Sequence, residues 1–267
     1  MSPKTTLWSP WREHFTANAA RPLPPIAAGD PALVAPEDVG AALRPHLART
    51  LARFQIGEGG EGRVAREVWK VRHATIDDDY RVALGLFVRE EGRHAWILAG
   101  MVRALGGDLV RTTWTERLFV RGRRLAGLRL KVLCLLAAEV VGIGFYGAVA
   151  SRCRGPLADA LRQIAGDEEA HLRFHVDFFR AGARTPAARL AFAAAWVAIA
   201  GVACGLVLLD HRRTLRALGV PLADAARDYT ARIAAVLADV RRAAPAPRQP
   251  DRPGAAPLPR TPAARAA

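Results

Sequence analysis

One charge interrupts the run from Val132 to Ala150: Glu139 stands alone among uncharged, mostly apolar residues. A stretch this long and this apolar forms a helix that must be covered on nearly every side. The carboxylate in its middle has no arginine or lysine at i±3 or i±4 to satisfy it. An unpartnered buried charge costs several kcal/mol, so other helices must carry a partner to Glu139. The remainder of the chain agrees with a helical fold. It has several long segments with 3.6-residue periodicity and no convincing alternating strand pattern, and its 51% hydrophobic and 24% charged residues are ordinary values for a packed core. The expected class is all-α.

The apolar stripe Leu43, Leu47, Leu51, Phe54 continues at the same spacing through Glu58, Glu61, Ala65 and Val68, which predicts a first helix over 37–73. Asp77, Asp78 and Asp79 offer N-caps to a second over 79–105, ended by Gly106 and Gly107. A polar connection leads to the third, 125–152, and Gly155 with Pro156 turns the chain into a fourth, 156–180. Thr185 and Pro186 start a fifth, and Gly219 with Pro221 separates it from a sixth over 221–242. Four prolines, Pro22, Pro24, Pro25 and Pro31, among Ala and Gly predict a poorly ordered arm over 1–36. The Pro/Ala/Arg-rich residues 243–267 read as a disordered tail. The domain plan is therefore a four-helix bundle over 37–182, two additional helices over 183–242 packing on it, and two ragged ends. Trp69 and Trp96 are expected in the core.

Two of these helices carry the same short motif. Glu91-Gly-Arg-His94 lies on the second and Glu168-Glu-Ala-His171 on the fourth. An i, i+3 spacing places carboxylate and imidazole one turn apart on one helix face, where both reach a single ion. With 11 Glu and 7 His in 267 residues, chance yields about 0.3 such pairs. Each ExxH helix is preceded by a helix with a carboxylate on its own apolar stripe: Glu58 or Glu61 before the first, Glu139 before the second. Glu58 and Glu91 are 33 residues apart, Glu139 and Glu168 are 29 apart, and each interval turns near its midpoint. Two antiparallel hairpins would bring the lone glutamates level with the ExxH pairs. Four carboxylates and two imidazoles in a bundle core need cations to neutralise them, and two divalent metals meet that need.

At this point the chain resembles the ferritin-like superfamily, in which two helices each give a Glu and two others each give a Glu-x-x-His. The segment QIGEGGEG, Gln55 to Gly62, resembles the Gly-Glu-Ser of the first rubrerythrin helix, whose Glu is a ligand. Carried over residue by residue, the resemblance implies Glu58, Glu91, His94, Glu139, Glu168 and His171 as ligands of two iron ions, with manganese or a mixed Mn/Fe pair as alternatives. It covers about residues 40–180. The chain departs from rubrerythrin in having no CxxC rubredoxin module, so an electron donor must be external. Glu58 and Glu61 both lie on the stripe; Glu58 matches the rubrerythrin-like Gly-Glu, and Glu61 is a second candidate one turn away. His175, one turn beyond His171, reads as a core or supporting histidine, and Tyr146, two turns from Glu139, as a core residue or a neighbour of the metals.

The function expected from this set is a dimetal-carboxylate oxidoreductase that activates dioxygen or peroxide and acts on a small molecule the sequence does not name. A ferritin-like protein that oxidises or stores iron is the first alternative. The second is a non-enzymatic basic helical protein that binds nucleic acid or an anionic membrane, which the net charge of +14 invites. That charge is a weak pointer to nucleic acid: 36 of the 39 basic residues are arginine, as GC-rich coding favours, and no run of five like charges occurs. Cys134, Cys153 and Cys204 are far apart and form no CxxC pair, which fits a reducing compartment. The N-terminus shows no apolar segment of a secretory signal. A cytoplasmic location follows, with one alternative. Leu190 to Leu209 carries no charge, is long enough to cross a bilayer, and offers a route to membrane association; the favoured reading is a buried helix of a soluble bundle.

Overall fold

The computed structural model describes residues 6–59, 69–73, 75–111 and 127–242. Among them the chain is all-α, without a strand. The described residues form eight α-helices in chain order: α1 Ser9–Ala19, α2 Arg44–Glu58, α3 Asp78–Ala104, α4 Leu128–Ala150, α5 Gly155–Gly182, α6 Pro186–Asp210, α7 Arg212–Ala217 and α8 Leu222–Arg241. Two 3-10 turns, Pro25–Ala28 and Pro31–Leu33, lie between α1 and α2.

Local chemistry sets the helix ends. The Asp77 carboxylate accepts from the Tyr80 amide at 2.8 Å, and Asp78 and Asp79 sit against the positive end of the α3 dipole. The helix stops where Gly106 takes a φ of 75°, a left-handed conformation that costs glycine little. Thr185 caps α6 through the Ala188 amide at 3.2 Å, ahead of Pro186. The short connection after α4 folds α5 back along it, and α2 packs along α3. These four helices enclose the buried acids and imidazoles, while α6, α7 and α8 cover the flank of α4 and the start of α2.

The arm expected to be poorly ordered is instead part of the core. Trp8 and Phe15 of this segment are buried against α3 and α5, and Ile26 is fully buried in the 3-10 turn. Pro25 and Pro31, which suggested disorder by composition, each open a 3-10 turn, where their fixed φ fits and no amide is required. The backbone of this turn crosses α3 at Gly100 so closely that a Cβ there would meet the Ala27 Cα at 2.6 Å. Arg93 of α3 then holds the arm by donating to the carbonyls of Arg21 and Pro22, each at 2.5 Å.

Three other expectations change. The first helix over 37–73 is shorter at its start, with α2 beginning at Arg44, and residues 60–68 lie outside the described residues. Trp69 and Trp96 are exposed rather than core. Helix α6 is an outer helix, not a buried one: only 22% of its most apolar window is buried, against 72% for α4. The tail, 243–267, lies outside the described residues.

Candidate metal centre

Four helices deliver the acid and imidazole side chains to one place. Helix α3 brings Glu90, Glu91 and His94, and α5 brings Asp167, Glu168, His171 and His175. Glu139 reaches in from α4, and Glu58, the last residue of α2, from the helix end. Glu91, His94, Glu168 and His171 are all buried, and one donor atom from each lies within 4.8 Å of every other. A group of this kind could hold a metal ion.

The contacts converge on a common centre. His171 Nδ1 lies 2.6 Å from Glu91 Oε1, 3.1 Å from Glu168 Oε2 and 3.7 Å from Glu139 Oε2. His94 Nδ1 lies 3.1 Å from Glu168 Oε1, yet the pair is not aligned as a hydrogen bond. Glu91 Oε1, Glu168 Oε1 and His94 Nδ1 are buried with no hydrogen-bond partner. Buried polar atoms almost always find one, so three such atoms facing one another point to a cation between them. The donor set, carboxylate oxygens with imidazole nitrogens, is one that divalent metal ions take, and it contains no thiolate. Tyr146 Oη donates to Glu58, and Glu139 Oε1 lies 3.4 Å from His175 Nε2. The partners that Glu139 required from other helices are therefore His171, His175 and Glu168, all on α5.

A second ring of contacts fixes the imidazoles. Glu90 of α3 meets His171 Nε2 of α5 at 3.2 Å, and Asp167 of α5 meets His94 Nε2 of α3 at 3.3 Å. Each acid precedes the glutamate of one ExxH and holds the histidine of the other. With Nε2–H pointing at a carboxylate, Nδ1 of both rings is left free to face the centre. Arg21 joins the two halves, its guanidinium 2.6 Å from Glu90 Oε1 and 2.7 Å from Asp167 Oδ1. Phe15 and Phe87 pack on His171, with ring centroids 5.7 and 4.7 Å away, and help keep water out.

The electrostatics follow from this crowding. Burial, then repulsion from Glu168, pushes Glu91 and Glu139 well above the usual carboxylate range, and Glu58 is raised for the same reasons. Burial opposes ionisation of Glu168 too, but hydrogen bonds from Glu139 and His171 and the charge of the nearby His94 outweigh it and hold that group well below the range. Burial draws His94 down, while Asp167 and Glu168 beside it override this and raise it to about 10. In the protein alone the cluster thus keeps its balance with protons, some on carboxylates and some on imidazoles. A bound metal ion would replace protons there.

Of the residues expected from the sequence, Glu58, Glu91, His94, Glu139, Glu168 and His171 share this centre, with His175 and Tyr146 at its edge. Glu61 lies outside the described residues. Glu90, Asp167 and Arg21 were missed. The signal for the first two was present, an acid immediately before each ExxH glutamate. No protein-family model, curated protein or solved structure matches this chain.

Proposed function

We propose that the chain is a ferritin-like dimetal-carboxylate oxidoreductase that reacts with dioxygen or peroxide. The observation that carries this reading is the set of three unpartnered buried donor atoms, Glu91 Oε1, Glu168 Oε1 and His94 Nδ1, surrounded by further carboxylates from α2 and α4. In this reading Glu91 with His94 and Glu168 with His171 would hold the metals, and Glu58 and Glu139 would complete the ligand set. The metal is iron, with manganese or a mixed pair as the alternative. When bound, the metals supply Lewis acidity and one-electron steps toward oxygen.

The chain's own residues do the rest. Glu90 and Asp167 hold the imidazoles turned with Nδ1 inward, since each accepts a hydrogen bond from Nε2–H. Tyr146 supplies a hydrogen bond to Glu58 that fixes this carboxylate and leaves a proton close to the centre. Phe15, Phe87 and Phe174 form an apolar wall on the α1 side. Electrons come from an external donor.

The test is anaerobic loading with ferrous iron followed by a measured pulse of oxygen. Stoichiometric oxygen consumption that disappears in Glu139→Ala supports the proposal. Iron loads of hundreds per chain assembly would favour storage instead, and no reaction with oxygen would remove the oxidoreductase reading.

A further inference from the structure

We propose that the outer face of α6 docks on an anionic lipid bilayer, lying flat in its surface. Between Arg189 and Asp210 this helix carries no charge. Its inner side packs through Phe192, Trp196, Ala200 and Cys204, all buried. The outer side leaves Leu190 73%, Val202 63% and Leu209 62% exposed, with Val197 beside them. A contiguous apolar strip of this length marks a surface that something covers.

The charges at its ends identify the occupant. Arg184 and Arg189 stand at the start, and Arg212, Arg213 and Arg216 just beyond the end, all exposed. None of the five pairs with a carboxylate among the described residues. No acid occurs between Asp177 and Asp210, and Asp210 is engaged by Arg53. A second copy of this chain is a poor fit to that strip. Packed parallel or antiparallel on a two-fold axis, it sets arginines against arginines, and like charges brought together across an interface disfavour the pairing. A surface of lipid phosphates accepts the arginines at both ends while the apolar strip enters the acyl boundary.

Crossing the bilayer is disfavoured by the neighbour. Helix α8 is bound to α6 through the Trp196 indole, which donates to the Ile233 carbonyl at 3.0 Å. Its solvent side carries the pairs Asp224 with Arg227 and Asp228 with Arg232, which a span would drag into hydrocarbon.

The full chain is mixed with vesicles of phosphatidylcholine alone or of phosphatidylcholine with phosphatidylglycerol, and binding is followed by flotation. We expect binding to the mixed vesicles that is roughly tenfold or more tighter than to neutral ones and that weakens with salt. The double variant Val197→Asp with Val202→Asp loses it while keeping its circular dichroism, and Arg212→Ser with Arg213→Ser loses the preference for the anionic lipid. The proposal fails if neither vesicle binds, or if the aspartate variant binds as the wild type does. It fails equally if the lipid-free protein is a dimer that Val197→Asp dissociates, or if the bound chain resists alkaline carbonate extraction as a spanning helix would.

Discussion

Glu90 of α3 holds His171 of α5 at 3.2 Å through Nε2, across the bundle rather than along its own helix. Asp167 returns the same contact to His94 at 3.3 Å. Each ExxH helix thus orients the imidazole of the other, so neither half of the centre is complete alone. Glu90→Gln and Asp167→Asn keep the shape of the side chain and remove the charge behind the imidazole. Each is expected to weaken metal binding by roughly 10- to 100-fold while leaving the helices intact, measured by competition with a chromogenic chelator. An unchanged affinity in both variants would mean that the crossed contacts do not set the imidazole orientation.

Arg21 gives the N-terminal arm a part in the same centre. Removing its guanidinium leaves Glu90 and Asp167 as two buried carboxylates with no cation between them. Arg21→Met is expected to destabilise the metal-free protein by about 2 kcal/mol, a value below that of a fully buried pair because the arginine is partly exposed. Thermal unfolding of the metal-free chain reads this out. In the background of Glu90→Gln with Asp167→Asn the loss should shrink, since the two carboxylates that needed Arg21 are gone.

At the mouth of α2, Glu58 accepts from Tyr146 and contacts Glu91. Glu58→Gln should therefore lower iron affinity more than Glu61→Gln does, and Tyr146→Phe, which removes only the hydrogen bond, should lower it by less than about tenfold. Ferrous titrations of the three variants provide the comparison. A larger loss from Glu61→Gln would transfer the ligand role to Glu61.

Away from the centre, His211 forms a buried polar knot between α2 and the start of α7. Its Nδ1 lies 3.0 Å from Thr50 Oγ1, which in turn meets Thr214 Oγ1 at 2.8 Å. Burial lowers His211 to about 4, with Arg53 and Arg49 adding to the shift and Asp210 opposing it. A histidine depressed in the folded state stabilises it fully above its unfolded value of about 6.5, and that stability is lost as the pH falls toward 4. His211→Asn should flatten this part of the acid dependence. The check is the difference in denaturant midpoint between pH 7 and pH 5, which should be smaller in the variant than in the wild type.

Much of this architecture is written locally. Asp77 and Gly106 mark the ends of α3 because a cap and a left-handed glycine act through neighbouring residues. The lone Glu139 and the two ExxH spacings disclose the centre for the same reason: one helix face is a local property. Arg21 was illegible because the arm was judged by its prolines. Composition does not register that Phe15 and Ile26 have partners on α3 and α5. Trp69 and Trp96 failed as core residues because aromatic content says nothing about which side of a helix is covered. The outer position of α6 was hidden too, since an apolar helix reads alike whether neighbours or an outside partner cover it.

The central claim is that these buried acids and imidazoles hold two metals. It is tested most directly by the metal content of the full chain purified without chelator, by mass spectrometry of the elements, beside Glu139→Ala and His171→Ala. The account predicts two equivalents of iron or manganese per chain in the wild type and a loss of metal in both variants. Wild-type protein free of transition metal, even after anaerobic incubation with ferrous and manganous ions, or two equivalents retained in both variants, would contradict it.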